Sequence, residues 1–103
     1  MLILTIKKKW FDMILSGEKN EEYREIKPYY ETRFMTVYGI AWIYGGISPI
    51  KEILFRNGCS KESPQFVAKC ALHIGTGKEE WGAEQNKEYY ILRIHEIIER
   101  KNC

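Results

Sequence analysis

The sequence predicts a small α+β protein: a mixed or antiparallel β-barrel of five or six short strands, with one main helix after the first strand. Three observations carry this. Apolar residues alternate with period two over several short segments, each bounded by Gly, Pro or Asn. The period changes to that of a helix with any clarity only once, between Lys8 and Ser16. Strands do not alternate regularly with helices, which argues against a doubly wound parallel sheet. At 103 residues the chain has the common size of one domain, and it can bury one core without disulfide or metal staples.

Leu2 to Ile6 reads as the first strand, with Leu2, Leu4 and Ile6 on one face. In Lys8 to Ser16, Trp10, Met13, Ile14 and Gly17 fall at i, i+3, i+4 and i+7, with Phe11 and Leu15 widening the stripe. Gly17 suits the left-handed position after a last helical turn. No Ser, Thr, Asp or Asn stands directly before Lys8, so the helix start is poorly marked. Asn20 to Ile26 reads as a strand closed by Pro28, and Pro28 to Phe34 as one or two helical turns or a loop anchored by rings. Val37 to Tyr44 is rich in branched and aromatic residues and reads equally as a strand or an aromatic loop. Lys51 to Arg56 is a strand ending in Asn57-Gly58, a tight-turn dipeptide. Gln65 to Ile74 alternates, with Phe66, Ala68, Cys70, Leu72 and Ile74 on the inner side. Lys78 to Lys87 is a connector holding Trp81-Gly82, and Glu88 to Ile98 is the last strand, with Tyr90, Leu92 and Ile94 inward.

Composition narrows the function classes. A net charge of +2 does not announce an extended nucleic-acid surface, although Lys7-Lys8-Lys9 allows a small basic pocket. Three cysteines without a Cys-x-x-Cys pair argue against a disulfide framework and suit a reducing, cytoplasmic setting. The N-terminus has its apolar residues before its lysines, the reverse of a secretory signal, and no apolar run approaches the roughly 20 residues of a membrane span. His73 and His95 lie on different strands, and a catalytic zinc usually needs three protein ligands in tight geometry, so no metal or other cofactor is expected. Cys70 falls on the core face, where a thiol is inert. Gly75-Thr76-Gly77-Lys78 lacks the spacing of a phosphate loop.

Seven Tyr, four Phe and three Trp make 14% of the chain, enough to leave rings outside the core. Several adjoin cations: Lys9-Trp10, Tyr23-Arg24, Tyr29-Tyr30 with Arg33, and Lys78 with Trp81. Such pairs suit stacking on a base. The densest polar stretch is Gly17 to Arg24. Strand alternation puts Glu22 and Arg24 on one face, and Lys19, in the preceding turn, reaches over it. Two cations around one carboxylate can hold a polar, anion-bearing ligand or perform acid/base chemistry.

The pattern Trp10, Ile14, Gly17, Lys19, Glu22 and Arg24, followed by Pro28-Tyr29 and Arg33, resembles the ASCH domain, a branch of the PUA-like superfamily. The motif is Gly-x-Lys-x-x-Glu-x-Arg directly after the first helix. Phe55-Arg56-Asn57-Gly58, Gly75-Thr76-Gly77 and Trp81-Gly82-Ala83-Glu84 are similar to small stand-alone bacterial and phage members. The resemblance implies a PUA-like barrel with a helix against one mouth, a cleft holding Lys19, Glu22 and Arg24, and RNA or another nucleic acid as partner. In that setting Trp10, Tyr29 or Trp81 would stack on a base, and Arg56 and Asn57 would line the rim. The resemblance also implies an alternative, an amidohydrolase acting on a modified nucleoside such as N4-acetylcytidine. Lys19 matches the lysine of that subgroup and, with Glu22, would be catalytic; Glu22 stands where the subgroup has a threonine nucleophile. A third expectation, from the aromatic stretch Val37 to Tyr44, is a protein-interaction patch.

Overall fold

The computed structural model describes residues 1–40, 42 and 48–103. Strand β1 (Leu2–Thr5) leads into helix α1 (Lys8–Leu15), strand β2 (Glu21–Glu25), helix α2 (Pro28–Tyr38), strand β3 (Lys51–Arg56), strand β4 (Gln65–Thr76), a 3₁₀ turn (Glu79–Trp81) and strand β5 (Glu88–Lys101). One five-stranded mixed sheet has the order β1-β3-β4-β5-β2; β1 and β3 are parallel and every other pair antiparallel. The α+β class therefore holds, with five strands among the described residues.

The sheet is open. β1 and β2 are its two edges and no backbone ladder joins them, so the expected closed barrel is not what the described residues form. The edges are nevertheless linked by a side chain. Arg24 of β2 donates from Nη2 to the carbonyl of Thr5 on β1 at 3.0 Å. Two register shifts between β4 and β5, at Val67/Ala68 and Lys69/Cys70, accompany this curl. Such bulges bend a strand and increase its twist.

Helix α1 forms as the periodicity dictates. It buries Phe11 and Ile14, and Lys7 at its start makes no side-chain cap. Gly17, at φ +87°, turns the chain out of the helix, and the Lys19 amide donates back to Met13 O at 3.0 Å. That bond fixes the entry into β2.

The second helix corrects the expectation of one main helix and bears out the helical reading of Pro28 to Phe34. α2 runs eleven residues to Tyr38, so Val37 and Tyr38 end a helix rather than begin a strand. The rest of the Val37–Tyr44 stretch lies largely outside the described residues. Tyr30, Phe34 and Tyr38 recur every four residues, a helical stripe hidden in residue types that favour strands. Phe34 is wholly buried and meets Tyr90 edge-on at 5.2 Å between centroids. The Tyr38 hydroxyl donates to Cys70 O at 2.7 Å, which satisfies it in the core. Gly39, at φ +79°, stops the helix.

Both helices pack on one core with the inner residues of β3, β4 and β5: Phe55 stacks on Phe66, and Phe11 meets Phe66, each pair at 5.1 Å. Phe66, Ala68, Cys70 and Leu72 are inward as expected, but Ile74 lies beyond the core and is largely exposed. Asn57-Gly58 does not make a two-residue hairpin; it opens a loop that runs to Pro64, closed by the Asn57 amide donating to Pro64 O at 2.9 Å. No helix of the described residues is long and apolar enough to cross a membrane.

Candidate functional site

The turn from α1 into β2 delivers three charges to one place. Lys19 and Glu22 are the buried charged residues of the described chain, and Arg24 is half-buried beside them. Lys19 Nζ pairs with Glu22 Oε1. Arg24 Nη2 pairs with Glu22 Oε2 at 2.8 Å, the same nitrogen that reaches Thr5 O. Glu22 is thus gripped on both oxygens, with Arg24 two residues along the same strand on one side and Lys19 from the preceding turn on the other.

The structure separates the roles of the two cations. Lys19 is 1% exposed. Its ammonium lies 5.2 Å from the Trp10 ring centre and 5.5 Å from that of Tyr23, so two aromatic groups and a carboxylate enclose it. Burial pulls its pKa below the ordinary lysine value, opposed by the attraction of Glu22. Lys19 does not line the adjoining cleft. It positions Glu22; a molecule in the cleft meets Glu22 and Arg24 instead.

That cleft has a volume of about 230 Å³ and is walled by Trp10, Tyr23 and Trp81, with Glu22, Arg24 and Lys7 as its charges. Larger depressions of about 410 and 680 Å³ lie elsewhere on the surface, but none of their lining residues is a buried charge. The cleft is smaller than the usual drug-sized pocket and suits one planar ring system.

A strap from Gly77 to Ala83 closes one side. The Tyr23 hydroxyl accepts from the Lys78 amide at 2.9 Å and donates to Glu21 Oε1 at 2.8 Å. Burial pushes the Tyr23 pKa well above its ordinary value. Gly77 lies so close to Tyr23 that a Cβ there would sit 2.6 Å from its Cζ and 2.8 Å from the Ala83 Cβ. Gly77→Ala is therefore expected to destabilise the protein by about 1–3 kcal/mol through overpacking; urea unfolding checks this, and an unchanged midpoint would mean that the strap is not seated as described.

Of the residues expected from the sequence, Trp10, Glu22, Arg24 and Trp81 come together at the cleft, with Lys19 behind Glu22. Tyr29, Arg56 and Asn57 do not line it. Tyr29 is 54% exposed, with the Arg33 guanidinium 3.5 Å over its ring. Arg56 is held by Gln65 Oε1 at 3.1 Å, and the Asn57 amide donates to Ile6 O at 2.9 Å, so both brace the frame. Lys7 and Tyr23 line the cleft as well; the sequence marks them as members of a basic run and a ring–cation pair without assigning either to the site. Lys7 was legible only as part of a basic run. Tyr23 alternates with Glu22 and Arg24, which assigns it to the other face, where it does pack on Tyr89 at 5.7 Å; its position on an edge strand also leaves it bordering the cleft.

Among the described residues no three His, Cys, Asp or Glu side chains gather to hold a metal ion. Compared with protein-family models, with curated proteins and with solved structures, the chain matches none.

Proposed function

We propose that this protein is an ASCH-type, PUA-like domain that binds nucleic acid, single-stranded RNA foremost, by taking one base into the cleft beside Glu22. The observation that carries this reading is the meeting of Trp10 and Trp81 with a doubly held carboxylate and a guanidinium in a space of about 230 Å³. An ionised carboxylate has roughly four lone-pair sites. Lys19 and Arg24 occupy two of Glu22's, so it can still accept an exocyclic amine, as acidic side chains do from cytosine N4. The curled sheet, stitched at Arg24 and Thr5, is on this reading an open form of the PUA-like barrel. The three free cysteines accord with a cytoplasmic protein.

Trp81→Ala tests the proposal, because Trp81 stands on the strap outside the main core. Binding of a short cytidine-rich RNA is expected to weaken by about 1–3 kcal/mol, the contribution of one stacked base, with thermal unfolding unchanged. Fluorescence anisotropy reads the first and circular dichroism the second. Equal affinity for wild type and variant across a salt series would overturn the reading.

The lowered pKa of Lys19 favours a second reading, hydrolysis of N4-acetylcytidine with Lys19 as base and Glu22 as proton shuttle. Water would add to the acyl carbon and the C–N bond would break, giving cytidine and acetate. Lys19 must then be uncovered by movement of Trp10 or Tyr23. Chromatographic detection of cytidine, abolished by Lys19→Ala, is the expected result; no turnover removes this reading.

A further inference from the structure

A second groove, of about 400 Å³, runs on from the ring-walled cleft and shares Lys7, Tyr23, Arg24 and Gly82 with it. Its character is different. Lys7, Arg24, Lys27 and Lys87 line it against two carboxylates, Glu25 and Glu84. Glu84 is already taken by Lys87 at 3.5 Å. The whole chain carries only +2, so a local excess of two positive charges beside one small cleft is a concentrated feature.

The charge behind the shared wall points the same way. Lys19 and Arg24 share one carboxylate, which leaves that group of three with a net positive charge. Arg24 Nε is buried without a hydrogen-bond partner among the described residues. Glu21, the next acid along β2, accepts from the Tyr23 hydroxyl and also acts on Lys19, which offsets that net charge. Arg24, already one of the groove's cations, thus presents a partnerless Nε at the wall common to cleft and groove, and with the groove's excess of two positive charges this draws an anion to that wall.

Resting on the base-binding reading above, we infer that the ligand is a phosphorylated nucleotide rather than a nucleoside: its base occupies the cleft, and its phosphate lies in the groove over Lys7, Lys27 and Lys87. Lys27 and Lys87 stand at the groove alone and do not line the base cleft. They therefore separate phosphate recognition from base recognition. The phosphate has two sources, a free mononucleotide or the backbone of a strand, and the chemistry of the groove is the same for both.

Calorimetric titration of the whole protein with cytidine, with cytidine 5′-monophosphate and with a cytidine pentanucleotide tests this. The monophosphate is expected to bind about ten-fold or more tightly than cytidine at low salt, the effect of one charge-assisted contact. The double variant Lys27→Ala/Lys87→Ala, both at the surface, should bring the monophosphate down to the affinity of cytidine and leave cytidine itself unchanged. Tighter binding of the pentanucleotide than of the monophosphate assigns the phosphate to a strand; equal binding assigns a free nucleotide, and both outcomes support the inference. Equal affinity for cytidine and its monophosphate in the wild type overturns the inference while the base cleft stands. Failure of all three ligands to bind overturns the base cleft and the inference together.

Discussion

Glu22→Ala is expected to cost about 3–5 kcal/mol of folding stability, the penalty for breaking a buried ion pair by removing one partner. The reason lies in Lys19. Its side chain has no exposed surface, and among the described residues Glu22 is the acid paired with it. Without that carboxylate the ammonium faces the rings of Trp10 and Tyr23 and the repulsion of Arg24, with only the weaker, unpaired attraction of Glu21 against them. The companion variant Lys19→Met/Glu22→Leu should recover most of the loss, because apolar groups of similar volume remove the desolvation cost along with the attraction. A Glu22→Ala protein as stable as wild type in urea would show that Lys19 is not sealed in.

The pH dependence of that loss has a definite sign. Removing Glu22 takes away the chief influence that raises the Lys19 pKa, so burial then lowers it further. A lysine whose folded pKa lies below its unfolded value of about 10.4 destabilises the fold fully below the folded pKa. Between the two values the native state sheds the proton first, and stability rises with pH. The difference between wild type and Glu22→Ala should therefore shrink as pH is raised from neutrality towards 10. Tyr23, Tyr38 and Cys70, whose pKa values burial raises, oppose folding in alkali. Tyr38 and Cys70 lie in the common core, so their effect enters both proteins; Glu22 helps to raise Tyr23, so its removal eases that penalty in the variant and acts in the same direction.

How the charged site could be read in advance, and where that stopped, follows from range. The facing of Glu22 and Arg24 is a property of one strand, fixed by its period of two, and Lys19 lies only three residues from Glu22. Local geometry suffices for both. The sealing of Lys19 is not local: it needs Trp10 from α1 and Tyr23 from β2 to close over the ammonium. Nothing in the spacing of charges says which cation will be enclosed and which will face the cleft. Arg56 and Asn57 illustrate the same limit. Polar residues beside a turn suggest a rim, but the register of β3 against β1 and β4 sets Asn57 against Ile6 O and Arg56 against Gln65. The open sheet is a further case, since the alternation of β1 and β2 is identical whether or not their edges pair.

Phe34→Ala is the second large expected effect, about 3–5 kcal/mol by loss of a buried ring and the cavity it leaves. It bears on the segment that the sequence leaves open between helical turns and a loop, and which is helical. Were Pro28 to Phe34 a surface loop, this ring would be an anchor whose loss the loop could absorb. In the helix, Phe34 is 0% exposed and contacts Tyr90 on β5 at 5.2 Å and Tyr30 one turn earlier at 6.0 Å. Tyr30 in turn lies against Arg24, its ring centre 5.8 Å from the guanidinium carbon. The chain of rings from Tyr90 through Phe34 to Tyr30 thus connects the core to the side chain that ties β2 to β1. A double-mutant cycle between Phe34→Ala and Tyr90→Ala should show coupling of about 0.5–1.5 kcal/mol, as aromatic pairs do beyond their burial. Phe34→Leu, which keeps most of the volume, should cost far less and preserve nucleic-acid binding. A loss below about 1 kcal/mol for Phe34→Ala would place it with surface substitutions, and α2 could then no longer be the element that holds Arg24 in place.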